Sequence, residues 1–104
     1  MSRVDIPPAD CSFSVYPVNE NDQVGKVAII TSSQVSSLDF QDTDPITGFK
    51  RWRITLNSEG ASINAAYSKA HIGQKIAIFC GAREMVRPTI AGQSSGTFVI
   101  DVPD

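Results

Sequence analysis

A cysteine-histidine nucleophile and base in this chain could draw on one histidine, His71, and two cysteines, Cys11 and Cys80. A thiolate beside an imidazole, with an aspartate to orient the ring, is a workable catalytic arrangement. An enzyme reading would therefore use Cys80, His71 and an Asp. Neither cysteine sits in a nucleophile motif. Cys80 closes an apolar run, Ile-Ala-Ile-Phe-Cys, and a thiol in apolar surroundings is inert. His71 falls where a helix should end, and there an imidazolium gains from the dipole and the last carbonyls. Asp39, Asp42 and Asp44 form an acidic stretch. A calcium loop needs ligands at set spacing with a glycine and a distal glutamate, whereas Pro45 follows here and no such Glu appears. A solvated turn is the expectation. There is no P-loop, no GxGxxG and no CxxC, so no nucleotide, dinucleotide or zinc site is indicated and no cofactor is expected.

Two charged segments are better suited to contact than to catalysis. Arg51 and Arg53 alternate along one face of a strand pattern, with Lys50 beside them and Phe49, Asp42 and Asp44 in the adjoining loop. Such charges ordinarily protect an edge or face water, but arginine is also enriched at protein interfaces. Arg83, Glu84, Met85 and Arg87 form a second candidate surface. The candidate partner-binding residues are therefore Phe49, Arg51, Arg53, Arg83, Glu84, Met85 and Arg87.

A chain of 104 residues is one domain by length and can bury one two-layer core unaided. Residues 1–10, with Pro7-Pro8, read as an irregular arm, and 11–104 as a single domain. A content of 41% hydrophobic and 19% charged residues is that of an ordinary globular protein. The net charge of −2 argues against nucleic acid as partner, since phosphate binding draws on clustered lysine and arginine. No run of apolar residues is long enough to span a membrane. The N-terminus lacks the apolar core of a signal peptide. The expected compartment is the cytoplasm as the sequence stands, or the periplasm if a leader has been removed. The two cysteines permit one disulfide in an oxidising compartment, but both fall in or beside strand patterns, so two buried thiols are expected.

The elements follow from periodicity. Residues 11–18 alternate, with Phe13 and Val15 on one face, and Pro17 marks a strand end or an edge. Residues 24–31 form an apolar run expected to be a strand. Residues 34–41 alternate with Leu38 and Phe40 inward. Residues 42–48 are dense in turn formers. Residues 51–56 alternate most cleanly, with Trp52, Ile54 and Leu56 facing one way, and should pair antiparallel with 38–41. Asn57 is an N-cap, Glu59 complements the helix dipole, and Gly73 is the stop. Ile63, Ala66, Tyr67 and Ala70 make the apolar stripe of the intervening helix. Residues 76–80 form a short apolar strand, Gly81-Ala82 a turn, and 83–90 a strand in which Pro88 implies an edge or bulge. Residues 97–102 are the last strand, with Phe98, Ile100 and Val102 inward. This is an α+β fold: one main helix packed on a mostly antiparallel sheet of about five to six strands.

The run from 57 to 90 resembles the head subdomain of the first periplasmic domain of the protein-export factor SecD. The resemblance is carried by Glu59-Gly60-Ala61, Ser68 at a threonine position, Ile72-Gly73, Ile76-Ala77-Ile78 and Pro88-Thr89-Ile90, at ungapped spacing. It departs at Asn64, where the pattern has phenylalanine, at Gly81-Ala82 in place of Asp-Gly, at the charged Glu84 and Arg87, and in the single Gly96 before the last strand. Gly60 has a physical reading as well, since a glycine in the first helical turn lets the backbone approach a neighbour. The resemblance implies a non-catalytic domain that engages another protein. The expected partner is thus a polypeptide, with no nucleic acid and no membrane span, and the chain itself a monomer or small homo-oligomer. The alternative is an immunity or antitoxin protein, small and acidic, that covers the basic site of a bacterial toxin.

Overall fold

The computed structural model describes residues 12–94 and 96–103. The expected arm at 1–10 and Cys11 lie outside the described residues. Among these residues, six strands and one helix follow in the order β1 (Phe13–Val18), β2 (Val35–Thr43), β3 (Lys50–Leu56), α1 (Ser58–Ala70), β4 (Lys75–Cys80), β5 (Arg83–Val86) and β6 (Thr97–Val102). A 3-10 turn, Ser32–Gln34, precedes β2. The α+β class is as expected, but the strands do not form one sheet. They divide into two three-stranded antiparallel sheets, in the orders β1-β4-β5 and β2-β3-β6.

The alternating strands explain why two sheets suffice. Phe13, Val15, Ile78 and Met85 from the first sheet meet Leu38, Ile54, Leu56, Ile100 and Val102 from the second in one core, with Ile30 among them. Each strand buries one face, and two such faces stacked together remove both from water. Pro17 lies within β1, an edge strand of its sheet, where a missing N–H is tolerated.

The expected strand at 24–31 is not formed. Its pairing with β1 amounts to the isolated bridges Val15–Ile30 and Val18–Val24 rather than a ladder. Val27 points into solvent at 79% exposure. Gly25 explains the approach at one end: it donates its N–H to the Pro17 carbonyl at 2.7 Å, and a β-carbon there would meet the Pro17 ring at 2.8 Å.

The helix begins and ends as the local sequence dictates. The Asn57 side chain accepts the Gly60 N–H at 2.9 Å, and Gly73 adopts φ +92° just beyond the last turn. Its inward stripe is rotated from the expected one. Ala66 and Ala70 are exposed, while Gly60 and Ser68 are buried and Ile63, Asn64 and Tyr67 half-buried. The reason is polar. The Ser94 N–H donates to the Ser68 hydroxyl at 2.8 Å, that hydroxyl donates to the Ser94 carbonyl at 3.1 Å, and the Asn64 amide donates to the Ser94 hydroxyl at 3.2 Å. These bonds hold the 92–94 loop against the helix, so the buried face is partly polar and hydrophobicity alone misplaces it.

Candidate functional site

The outer face of the β2-β3-β6 sheet is built by alternation. Side chains that do not enter the core point outward, and in β3 these are Arg51, Arg53 and Thr55. Across the ladder Arg51 faces Asp42 on β2 and Asp101 on β6, while Arg53 faces Asp39 and Val99. Arg51 Nε donates to Asp101 at 3.0 Å, and its Nη1 lies 3.6 Å from Asp42. Those two carboxylates, Asp101 first, hold the guanidinium pKa above its ordinary value. Arg53 is exposed and has no ion pair among the described residues. The structure thus separates the two arginines: Arg51 is held by its neighbours and Arg53 is presented to solvent.

Phe49 sits at the base of the β2–β3 turn. The turn is closed by Asp44, whose carboxylate accepts the N–H of Ile46 at 2.8 Å and of Thr47 at 3.4 Å, bonds that lower its pKa. The acidic stretch therefore works as a turn. Phe49 remains 36% exposed, Phe40 48% and Ile46 92%, so one end of this sheet carries uncovered apolar surface. Phe40 was expected inward. It does share a face with Leu38, but the core ends before it, and it packs edge-on against Trp52 with ring centroids 5.3 Å apart. The indole Nε1 of Trp52 is buried with no hydrogen-bond partner.

The second candidate segment folds inward. Met85 is 6% exposed and belongs to the core. Arg87 grips Glu84 through both Nε (2.6 Å) and Nη2 (2.7 Å), and through Nη1 donates to the Asp22 carbonyl at 2.8 Å. The Asp22 carboxylate lies 3.3 Å from Arg87 and 3.5 Å from Lys75. Asp22, at φ +64°, is the tip of the turn after β1, so this cluster fastens that turn to the far edge of its sheet. Glu84 and Arg87 are thereby engaged within the domain, and of this group only Arg83 is exposed.

The nucleophile candidates are also placed. Cys80 is disulfide-bonded, and the chain has one other cysteine, Cys11. The expectation of buried thiols therefore fails for Cys80, and no thiolate is available there for catalysis. His71 stacks on Tyr67 at 4.0 Å, and its Nδ1 lies 2.9 Å from Gln74 Oε1, so it finishes the helix as a local brace. A mostly apolar cavity of about 540 Å³ opens between the sheets below the helix, lined by Val15, Ile30, Tyr67, Ile78 and Phe98. Sequence reasoning missed Arg87 as a clamp, because its partner Asp22 is remote in the chain and only the fold joins them. It missed the exposure of Phe40 because alternation assigns a face but not the core's extent.

These features define a small α+β domain of two antiparallel sheets and one helix, with a mixed charged and aromatic surface on the second sheet. No known protein family and no curated protein matches the sequence. Solved structures share the fold, among them two of SecDF. One, reported as the structure and function of a membrane component SecDF that enhances protein export, superposes with a TM-score of 0.69 at 17% identity, covering 89% of this chain and 56% of that one. The other, SecDF in a super-membrane-facing form, gives 0.70 at 17% identity, covering 90% of this chain and 17% of that one. The chain therefore has the fold of part of SecDF, as the motifs between 57 and 90 implied, and spans about half or less of the chains it resembles. No helix among the described residues is long and apolar enough to cross a membrane.

Proposed function

We propose that this chain is a non-catalytic polypeptide-binding domain that works beside a protein-export apparatus outside the cytoplasm. The observation that carries this reading is the likeness to SecDF across nine-tenths of the chain. The disulfide at Cys80 supports the compartment, because such bonds persist where the surroundings are oxidising. The contact face in this reading is the outer face of β2-β3-β6, centred on Arg53 and bordered by Phe49. It joins a presented arginine to an exposed aromatic ring, the two residue kinds most often found as interface anchors. Arg51 supports that face by holding its strands together. The 83–87 segment contributes Arg83 at its margin, while Met85, Glu84 and Arg87 keep the opposite sheet in shape.

A photoreactive amino acid placed at Phe49 or at Arg53, in the full chain within its native host, tests this. Adducts to a discrete polypeptide at both positions, absent from a control at Lys69 on the exposed helix face and weakened by Arg53→Glu, are the expected result. Adducts only at Lys69, or none at either position, would overturn it. The same capture decides the immunity reading. A partner that is toxic when produced alone would replace the export setting with that one.

A further inference from the structure

Among the described residues, the β2-β3-β6 sheet has an open edge. β3 is central, and β6 lies beside β5 of the other sheet, so β2 ends the array. Edge strands are ordinarily blunted with lysine or proline. β2 carries neither, and residues 39–43 are exposed without interruption. Its only irregularities are register shifts between Val35 and Ser37 and between Phe40 and Asp42, which leave 37–40 in unbroken register with β3. Within that segment Asp39 is on the outer face, while Leu38 and the half-exposed Phe40 are on the other. From 27 to 49 the chain has three aspartates and no lysine or arginine.

We infer that the outer edge of β2 accepts an extended strand from another protein in which lysine or arginine alternates with apolar residues. The inference rests on the polypeptide-binding reading and names the chemistry of the bound segment. Backbone groups on an open edge supply the pairing, and side chains facing alternately set the preference. A residue set against Asp39 shares its face, where an opposite charge is favoured and a like charge is not. A residue set against Phe40 continues the aromatic row that Phe40 makes with Trp52. A second copy of this chain is a poor occupant, because antiparallel self-pairing brings the two acidic stretches together in any register.

The test is a titration of the isotopically labelled full chain, followed by the backbone amide resonances, with ten-residue peptides alternating lysine and valine or glutamate and valine. The expected result is a shift of the 36–42 amides, with the lysine peptide binding about tenfold more tightly at low salt. A lysine peptide with methylated backbone amides keeps every side chain and should not bind. Asp39→Asn with Asp42→Asn should bring the two unmethylated peptides to within about twofold of each other. Equal binding of the two peptides, full binding of the methylated one, or shifts confined to other strands would overturn the inference. So would self-association that shifts the 36–42 amides without peptide. A reduced and alkylated unfolded protein separates the two levels of the argument. Its binding at another face overturns the edge assignment alone, and failure of every probe to bind overturns the polypeptide-binding reading with it.

Discussion

A β-carbon on Gly60 would lie 2.8 Å from the carbonyl oxygen of Gln34 and 3.1 Å from the β-carbons of both Gln34 and Leu56. The first turn of the helix is thus seated directly on the 3-10 turn before β2. The same Gln34 carbonyl accepts the Asn57 N–H at 2.9 Å, and the Asn57 amide donates to the Ser33 carbonyl at 3.1 Å. Gln34 is itself anchored, its side-chain oxygen accepting the Thr31 N–H at 3.0 Å. One small residue therefore sets how close the helix comes to the second sheet.

Alanine in place of a helical glycine usually stabilises by about 1 kcal/mol. Here the methyl group meets backbone, so Gly60→Ala should instead destabilise by about 1–2 kcal/mol, as overpacked sites do. Gly92→Ala is the control: a β-carbon there meets nothing within 4 Å, and stability should hold or rise slightly. Urea denaturation of the three proteins measures both.

The Arg87 clamp should impose an acid limit. Its hydrogen bond holds Glu84 below the ordinary value of about 4.5, and holds Asp22 down as well, with the Lys75 charge second there. A carboxylate whose pKa is lowered on folding binds fewer protons in the folded state. Its stabilisation is complete above the ordinary value and is lost as pH falls through the folded one. Denaturation midpoints should therefore fall as the pH drops below about 4.5, and Arg87→Met should flatten that profile.

The disulfide at Cys80 makes a prediction that is independent of partner. Oxidised native protein should show no thiol reactive to a chromogenic reagent. Reduction, or Cys80→Ser, should cost roughly 2–4 kcal/mol of unfolding free energy. Matched melts with and without reductant give the number. Unchanged stability after reduction would show that the bond contributes nothing to the fold.

Trp52 carries the one buried side-chain donor without a partner among the described residues. An unmet buried donor costs about 1–3 kcal/mol. Trp52→Phe removes it while keeping a ring against Phe40 and the core. The expected loss is under about 1 kcal/mol, against about 3–5 for Trp52→Ala. Chemical denaturation of both variants decides between them.

Much of the local structure was legible in the sequence because its causes are local. The Asn57 cap, the Gly73 stop and the alternation of 51–56 each depend on neighbours within a turn or two, and each stands as read. So does the close approach at Gly60, whose size was informative before its neighbour was known. The SecD-like pattern between 57 and 90 was legible for the same reason, as it is a string of local signals at fixed spacing.

Where those signals meet tertiary competition, they misled. The run at 24–31 is apolar enough for a strand, yet Gly25 packs on Pro17 and Val27 turns to water, because the first sheet offers it no full ladder. The helix stripe was read from hydrophobicity, while Asn64 and Ser68 point inward because Ser94 is there to bond them. Arg87 read as part of a candidate contact surface until the fold carried Asp22 to it.

The sequence alone therefore determined the element types, the helix ends, and which face of most strands is apolar. Only the tertiary structure decided that the strands split into two sheets, that Arg53 rather than Arg51 is presented, and that β2 is an open edge among the described residues. The physical reason is one of range. Caps and alternation are settled between residues a few positions apart, whereas sheet order, ion-pair partners and the limits of the core are settled between residues that meet only once the chain has folded.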